Sequence, residues 1–154
     1  MNKESTLREV RNIFSTWMEK NNQRKTKERF AILEEIYRGE GHYNADRIFN
    51  LLKAKKYKVS LATVYNTLDL LVECGLVKRH QFEKSNSEYE ASYGSRQHDH
   101  MICESCKSVI EFCDPRIQEI NSVMGNMLEF EVRDHSLLIF GVCKSCRKKL
   151  AVGN

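Results

Sequence analysis

The sequence predicts an α+β protein made of two domains, and three observations support this prediction. Apolar residues recur at helical spacing four times within the first 73 positions, and two short strand-like stretches follow. The last third of the 154 residues shows a different order, with strands on both sides of one helix. Between the two patterns lies a short hinge-like stretch, residues 94–97. We therefore predict one domain over residues 1–93 and another over residues 98–154.

Three amphipathic helices are predicted to open the first domain. Residues 6–20 follow Ser5, residues 26–38 begin at Thr26, and a third helix starts at Asn44. Serine, threonine and asparagine are residue types that favour helix N-caps.

A fourth helix, residues 61–73, follows Ser60 and ends before Gly75, a residue type common just past helix ends. Two strands, 77–82 and 88–91, then form a basic hairpin around a Lys-Ser-Asn-Ser turn. Short helices followed by such a hairpin are typical of a winged helix-turn-helix domain.

The start of the fourth helix carries small and hydrogen-bonding side chains, among them Thr63, Tyr65 and Asn66. A recognition helix contacts base edges with this end. The tyrosine ring can contact a thymine methyl group, and the asparagine amide can pair with adenine. The alternative, an ordinary core helix with a solvated back, stays open at this point.

Positive charge is concentrated in the first part of the chain. Residues 1–84 have a net charge of +6 and residues 85–154 a net charge of −2. This imbalance favours a polyanionic partner, and double-stranded DNA is the obvious one. Arg24 and Lys25 are candidates for phosphate or minor-groove contacts, although each could equally be a solvated surface cation.

Composition limits the class of protein. Hydrophobic residues make up 41% and charged residues 30%, and no apolar run approaches the roughly 20 residues that span a bilayer. The polar N-terminus lacks a secretory pattern. We expect a cytoplasmic protein without a membrane partner, whose six cysteines are thiols or metal ligands rather than disulfides.

The second domain is predicted to contain strands over residues 98–103 and 108–113, a helix over 116–127, and a long strand over 129–142. Two Cys-x-x-Cys pairs bracket these elements: Cys103 with Cys106, and Cys143 with Cys146.

Two such pairs commonly supply four thiolates to a tetrahedral zinc. The 36 residues between the pairs mean that the ion would join the start of the domain to its end. The alternatives are metal-free thiols or a redox centre, but a redox motif expects one pair at a helix start. We predict structural Zn(II).

A second metal site is predicted beside the first cysteine pair. His98 and His100 project from the same face of a strand, and Asp99 projects from the other. Spacing alone leaves the remaining ligands open. The candidates are Glu90, Glu111, His42 and His135.

Six stretches form a recognisable ordered set. They are Ala-Thr-Val-Tyr at 62–65, residues 68–77, Tyr-Glu at 89–90, His-Asp-His-x-x-Cys-x-x-Cys at 98–106, Val-Ile-Glu-Phe at 109–112, and Gly-x-Cys-x-x-Cys at 141–146. With this set the chain resembles the ferric uptake regulator family of metal-dependent repressors along nearly its whole length. The resemblance implies a homodimer in which N-terminal winged helices read a palindromic operator and C-terminal α+β domains dimerise.

The resemblance also implies the ligands. It assigns the four cysteines to a structural zinc site, and it assigns His42, Glu90, His98, His100 and Glu111 to a regulatory site. Three nitrogens and two carboxylates suit Fe(II), Mn(II) or Zn(II). Peroxide-sensing members characteristically have aspartate at the position of Glu111, so this glutamate favours a regulator of iron uptake that responds to Fe(II). A peroxide-, zinc- or manganese-sensing repressor is the alternative.

The sequence departs from the family pattern at a third metal site that some members carry. Asp99 and His135 fit that site, but Gln97 and Gln118 stand where imidazole and carboxylate ligands are needed. We predict a weak third site at best. Asn66 also stands where many members have arginine, which affects the operator sequence.

A metalloenzyme using the histidine site is the rival from another class. Hydrolytic metal sites need an open coordination position beside a general base. Five protein ligands leave little room for one, so we expect no enzymatic activity.

Overall fold

The computed structural model describes residues 3–39, 41–81, 87–94 and 97–152. The chain divides into two compact units, Met1–Ser95 and Arg96–Asn154. Two residues of the predicted hinge, Ser95 and Arg96, lie outside the described residues.

The described residues of the first unit form four helices and a hairpin. These elements are α1 (Lys3–Lys20), α2 (Lys27–Arg38), α3 (Ala45–Ala54), α4 (Leu61–Glu73), β1 (Val77–His80) and β2 (Glu88–Ala91). Thr26, Asn44 and Ser60 are N-caps, because each side chain accepts a hydrogen bond from a backbone N–H in the first turn. The first helix begins earlier than predicted, at Lys3 instead of after Ser5.

Apolar stripes of the four helices build the core of this unit. Phe14 of α1, Leu33 of α2, Ile48 of α3, and Val64 and Leu68 of α4 are all fully buried. Burying side chains of this kind is the main source of stability for a bundle of short helices. The antiparallel hairpin β1–β2 packs beside them, with Val77 opposite Ala91.

In the second unit, the described residues form a three-stranded sheet and two helices. Its elements are β3 (Asp99–Cys103), β4 (Val109–Phe112), α5 (Pro115–Met127), β5 (Leu138–Gly141) and α6 (Lys144–Val152). Strand β3 lies in the centre, antiparallel to β4 and parallel to β5. The predicted α+β class, with a winged helix followed by a smaller α+β unit, is confirmed.

The long strand predicted over residues 129–142 is wrong, because only Leu138–Gly141 pairs with the sheet. Glu129 has a positive φ of 50°, which no strand accommodates. Beyond it, side chains take the place of ladder partners. The N–H of His135 donates to Asp134, and the N–H of Leu137 donates to the carboxylate of Asp99. The helix α6 was not predicted.

Among the described residues, no helix combines the length and the apolar character that crossing a bilayer requires.

Candidate metal centres

Four cysteines of the second unit form a compact thiol cluster. Cys103 is the last residue of β3, Cys106 lies in the turn before β4, Cys143 directly precedes α6, and Cys146 lies in its first turn. Their four Sγ atoms all lie within 4.8 Å of one another. The chain between the two cysteine pairs thus leaves the end of β3 and returns to that same end.

The spacing of these sulfurs fits a tetrahedral ion. A Zn–S bond of about 2.3 Å places two sulfurs of a tetrahedron about 3.8 Å apart. The Sγ atoms of Cys106 and Cys143 are 3.8 Å apart. Four thiolates at tetrahedral separation are the donor set of a closed structural zinc site.

The thiols of the cluster ionise unequally. Backbone N–H groups of Cys106 and Cys143 stabilise the Cys103 thiolate and lower its pKa to about 6. A hydrogen bond with Ser108 lowers the pKa of Cys106 as well. The pKa of Cys146 rises to about 12, because its thiol hydrogen bonds with Cys143 and Cys106 and faces the Cys103 thiolate. A zinc ion would offset the repulsion between neighbouring thiolates, because its positive charge favours the ionised form of all four sulfurs.

Imidazole and carboxylate donors lie at the opposite end of β3. His100 is 2% exposed, and it pairs directly with Glu111 across the β3–β4 ladder. The His98 Nε2 atom is 3.9 Å from Glu111 Oε2, and the rings of the two histidines are 4.9 Å apart. The second unit therefore brings together two imidazoles and one carboxylate, from His98 directly before β3, His100 in β3 and Glu111 in β4.

The first unit contains the other two residues that the resemblance implies as ligands, His42 and Glu90. An isolated bridge joins Tyr43 to Tyr89 by two backbone hydrogen bonds of 2.8 and 2.7 Å. This bridge holds the segment before α3 against β2. The His42 Nε2 atom consequently lies 3.2 Å from Glu90 Oε2.

Sequence reasoning missed a third member of this group, His80. Its Nε2 atom is 2.7 Å from Glu90 Oε1, so the carboxylate contacts an imidazole through each oxygen. The hairpin register could have indicated this contact. Lys78 is opposite Glu90 and His80 is opposite Glu88, so His80 and Glu90 are diagonal neighbours on one face.

Asp99 projects away from the histidines and joins a hydrogen-bonded chain within the second unit. Its Oδ1 accepts from the Leu137 N–H at 2.9 Å, and its Oδ2 lies 3.2 Å from His135 Nε2. The amide of Asn121 lies 2.8 Å from His135 Nδ1. If the amide donates to Nδ1, the proton of the neutral ring is on Nε2, and both ring nitrogens are occupied.

The same region has a cavity of about 190 Å³. Gln97 and Gln118 line it together with Asp99 and His135. The Gln97 amide donates to the His135 carbonyl at 3.0 Å. The two glutamines add only neutral donors and acceptors to the lining of this cavity.

Helix α4 has one buried and one exposed face at its start. Val64 is fully buried, whereas Tyr65 is 44% exposed and Asn66 is exposed. The Thr63 hydroxyl lies 2.8 Å from the Ser60 hydroxyl and so belongs to the N-cap. The helix thus supplies core residues and also presents an exposed polar face, and its contact with bases stays a prediction.

The two basic candidates before α2 differ in their surroundings. Arg24 is exposed, and its carbonyl accepts a hydrogen bond of 2.6 Å from the Arg29 guanidinium. Lys25 is also exposed and forms an ion pair with Glu19. Arg24 is therefore the better placed of the two to contact a phosphate.

An apolar surface covers α5 and the residues beyond it. Helix α5 contains no buried residue, although it carries several large apolar side chains. Ile120, Met127, Leu128, Phe130 and Phe140 are between 53% and 72% exposed. Exposed apolar side chains in such number are unusual on a protein surface unless another molecule covers them.

Comparisons with known proteins agree with this architecture. The model of the Ferric uptake regulator family matches residues 20–140. The Peroxide operon regulator of Bacillus subtilis is 36% identical over 124 residues, which cover 80% of this chain and 84% of the relative. The Helicobacter pylori ferric uptake regulator Fur, whose structure has three functional metal binding sites, is 26% identical with a TM-score of 0.78, over 96% of this chain and 95% of that one. The ferric uptake regulator from Pseudomonas aeruginosa with manganese is 30% identical with a TM-score of 0.75, over 84% and 97%. The chain belongs to the ferric uptake regulator family, whose members are metal-dependent transcriptional regulators.

Proposed function

We propose that this protein is a cytoplasmic, homodimeric repressor that binds a palindromic operator when its regulatory metal, Fe(II), is bound. One observation carries the proposal. The two ends of β3 hold donor sets of different chemistry, with thiolates at Cys103 and imidazoles at His98 and His100. A closed thiolate site suits a permanent structural ion, and nitrogen and carboxylate donors suit an exchangeable one.

The regulatory ligands are proposed to be His98, His100 and Glu111 of the second unit with His42 and Glu90 of the first, as the family pattern implies. An ion that takes ligands from both units would favour the arrangement in which they share it. A metal with this preference must bind more tightly when the protein is on its operator, because the coupling is reciprocal.

Fe(II) is the regulatory metal that we propose, with Mn(II) and Zn(II) as alternatives. Glu111 stands where peroxide-sensing members of the family characteristically have aspartate. The mixed nitrogen and carboxylate donors are compatible with all three ions.

Peroxide sensing is the second candidate function, and one observation favours it. The Bacillus subtilis relative at 36% identity is a peroxide operon regulator. In that case peroxide would release the metal-loaded repressor from DNA, and metal availability alone would not set its activity.

The start of α4 is proposed to read the operator. Tyr65 and Asn66 lie on its exposed face, and Arg24 would contact a phosphate. The apolar surface over α5 is proposed to be the dimer interface, since a second copy would bury side chains such as Met127 and Phe130. We propose no enzymatic activity.

An anaerobic titration of operator binding tests the proposal. Operator affinity would be measured with Fe(II), Mn(II), Zn(II) and Ni(II), and then again after hydrogen peroxide is added to the Fe(II) complex. Tightening with Fe(II) at concentrations below those needed for Mn(II), and resistance to peroxide, is the expected result. Release by substoichiometric peroxide would instead establish the peroxide sensor, and metal-independent binding would contradict both functions.

A further inference from the structure

The carboxylate of Glu90 lies between two imidazoles of the first unit. His80 Nε2 is 2.7 Å from Oε1, and His42 Nε2 is 3.2 Å from Oε2. The side chains of His80 and Glu90 are only 10% and 9% exposed. The two rings meet edge to face, with centroids 5.6 Å apart. Of the three residues, only His80 has no part in the regulatory site as proposed above.

We propose that His80 is a positioning residue that fixes the carboxylate of Glu90 for the regulatory metal. This inference rests on the proposed function, because it takes Glu90 as a ligand. A hydrogen bond from His80 occupies Oε1 and stops the carboxylate from rotating, so that Oε2 is the oxygen presented for ligation. Carboxylates that bind metals are themselves commonly held by hydrogen bonds, and losing such a partner weakens metal binding.

The register of the hairpin brings the side chains of His80 and Glu90 together. Backbone pairing places Lys78 opposite Glu90 and His80 opposite Glu88, which makes His80 and Glu90 diagonal neighbours. The second imidazole is held independently, because the Tyr43–Tyr89 bridge ties the segment of His42 to the same strand β2. Two separate backbone contacts thus orient the two oxygens of one carboxylate.

The chemistry of the contact distinguishes positioning from ligation. A nitrogen that donates its proton to Oε1 offers no lone pair to a metal at the same time. His80 therefore acts through Glu90, and its hydrogen bond can be reproduced by another N–H donor at the same place. Glutamine is such a donor, since its amide nitrogen lies at about the same distance from the backbone as Nε2.

The test measures Mn(II) affinity directly on the full-length, zinc-loaded dimer, from the signal of free Mn(II) in electron paramagnetic resonance. His80→Ala is expected to bind Mn(II) about 10- to 100-fold more weakly than the wild type. His80→Gln is expected to recover most of this loss. Arg79→Ala is the matched control on the exposed face of the same strand, and its Mn(II) affinity is expected to be unchanged.

A second measurement excludes a merely structural role. At saturating Mn(II) both His80 variants are expected to bind the operator as the wild type does, whereas Arg79→Ala serves as a control for Mn(II) affinity alone. Wild-type Mn(II) affinity in His80→Ala would overturn the proposal. Loss of operator binding at saturating metal would also overturn it. So would a His80→Gln variant that folds but binds Mn(II) as poorly as His80→Ala. Should His80→Ala fail to fold, His80→Leu takes its place as a variant of similar volume without an N–H donor, and wild-type Mn(II) affinity in His80→Leu would overturn the proposal.

The proposed function fails in a different way. Glu90→Ala with wild-type Mn(II) affinity would show that Glu90 is not a ligand, and the regulatory site as proposed would be wrong whatever His80 does. Weakened binding in Glu90→Ala together with unchanged binding in His80→Ala would leave the function standing and remove only the positioning role.

Discussion

The two ends of β3 hold metal donors in different ways. At the Cys103 end, all four donors are thiols of one unit, and they come from both ends of its sequence. At the His98 end, the same unit supplies two imidazoles and the exposed carboxylate of Glu111, whose side chain is 49% exposed. The first set is complete in itself. The second contains three of the five ligands that the family pattern implies.

This difference separates stability from regulation. An ion bound by all four thiolates joins β3 to α6, so its binding free energy contributes to folding of the unit. An ion bound at the histidine end would depend on donors from elsewhere in the chain, so its binding can be coupled to a change of conformation. One strand thus supplies donors to both kinds of site.

The largest expected effect is the loss of a thiolate. Cys103→Ser should lose zinc together with the dimer, because structural zinc contributes on the order of 10 kcal/mol of apparent binding free energy, which a small domain cannot replace. Zinc content by atomic emission and mass by size-exclusion chromatography with light scattering measure the two losses. A zinc-free variant that remains a folded dimer would contradict the structural role of the thiolate site.

Replacing the imidazole of His42 should have a smaller and different effect. His42→Ala should retain zinc and the dimer, yet lose the tightening of operator binding when Mn(II) is added, because the regulatory ion loses one ligand. Fluorescence anisotropy of a labelled operator, with and without Mn(II), gives the ratio of affinities. Full metal activation in this variant would show that His42 does not belong to the switch.

Substitutions on the exposed face of α4 should change base discrimination by about 1–3 kcal/mol per residue. Tyr65→Ala and Asn66→Ala are expected to reduce the affinity ratio between operator and random DNA. Arg24→Ala, in contrast, should weaken binding to both and lower the salt dependence. Equal losses on both DNAs for Tyr65→Ala would place the recognition surface elsewhere.

The smallest effect is expected at the position of the third site. Asp99→Asn preserves the shape of a side chain that is 3% exposed and can still accept from the Leu137 N–H. Metal-dependent operator binding should remain largely intact, because Gln97 and Gln118 are poor ligands. If Asp99→Asn lost as much metal-dependent operator binding as removal of the His100 imidazole does, Asp99 would take part in metal regulation.

The types of metal ligand could be predicted from the sequence, because cysteine spacing and the alternation of side chains along a strand depend only on local geometry. Cys103 and Cys106, like His98 and His100, are close in sequence and need no tertiary information. His80 was inaccessible by that route, since its contact with Glu90 depends on the register of a hairpin. A prediction that had paired β1 with β2 residue by residue would have found it.

The failed strand prediction has a similar cause. Residues 129–137 contain apolar side chains at strand-like intervals, but Asp99, distant in sequence, accepts the backbone hydrogen bond of Leu137. Local propensity carries no information about such a partner. The apolar positions of that segment, Phe130 among them, are instead exposed on the surface assigned to the dimer interface.

The coupling claim is tested most directly by measuring zinc content and metal-dependent operator affinity on one sample of His100→Ala. His100 is buried at the histidine end of β3, away from the thiolates that begin at Cys103. The variant should remain dimeric and zinc-loaded, and its operator affinity should no longer rise when Fe(II) or Mn(II) is added. Wild-type metal activation in this zinc-loaded variant would contradict the assignment of the regulatory site, and would leave only a zinc-stabilised member of a DNA-binding family.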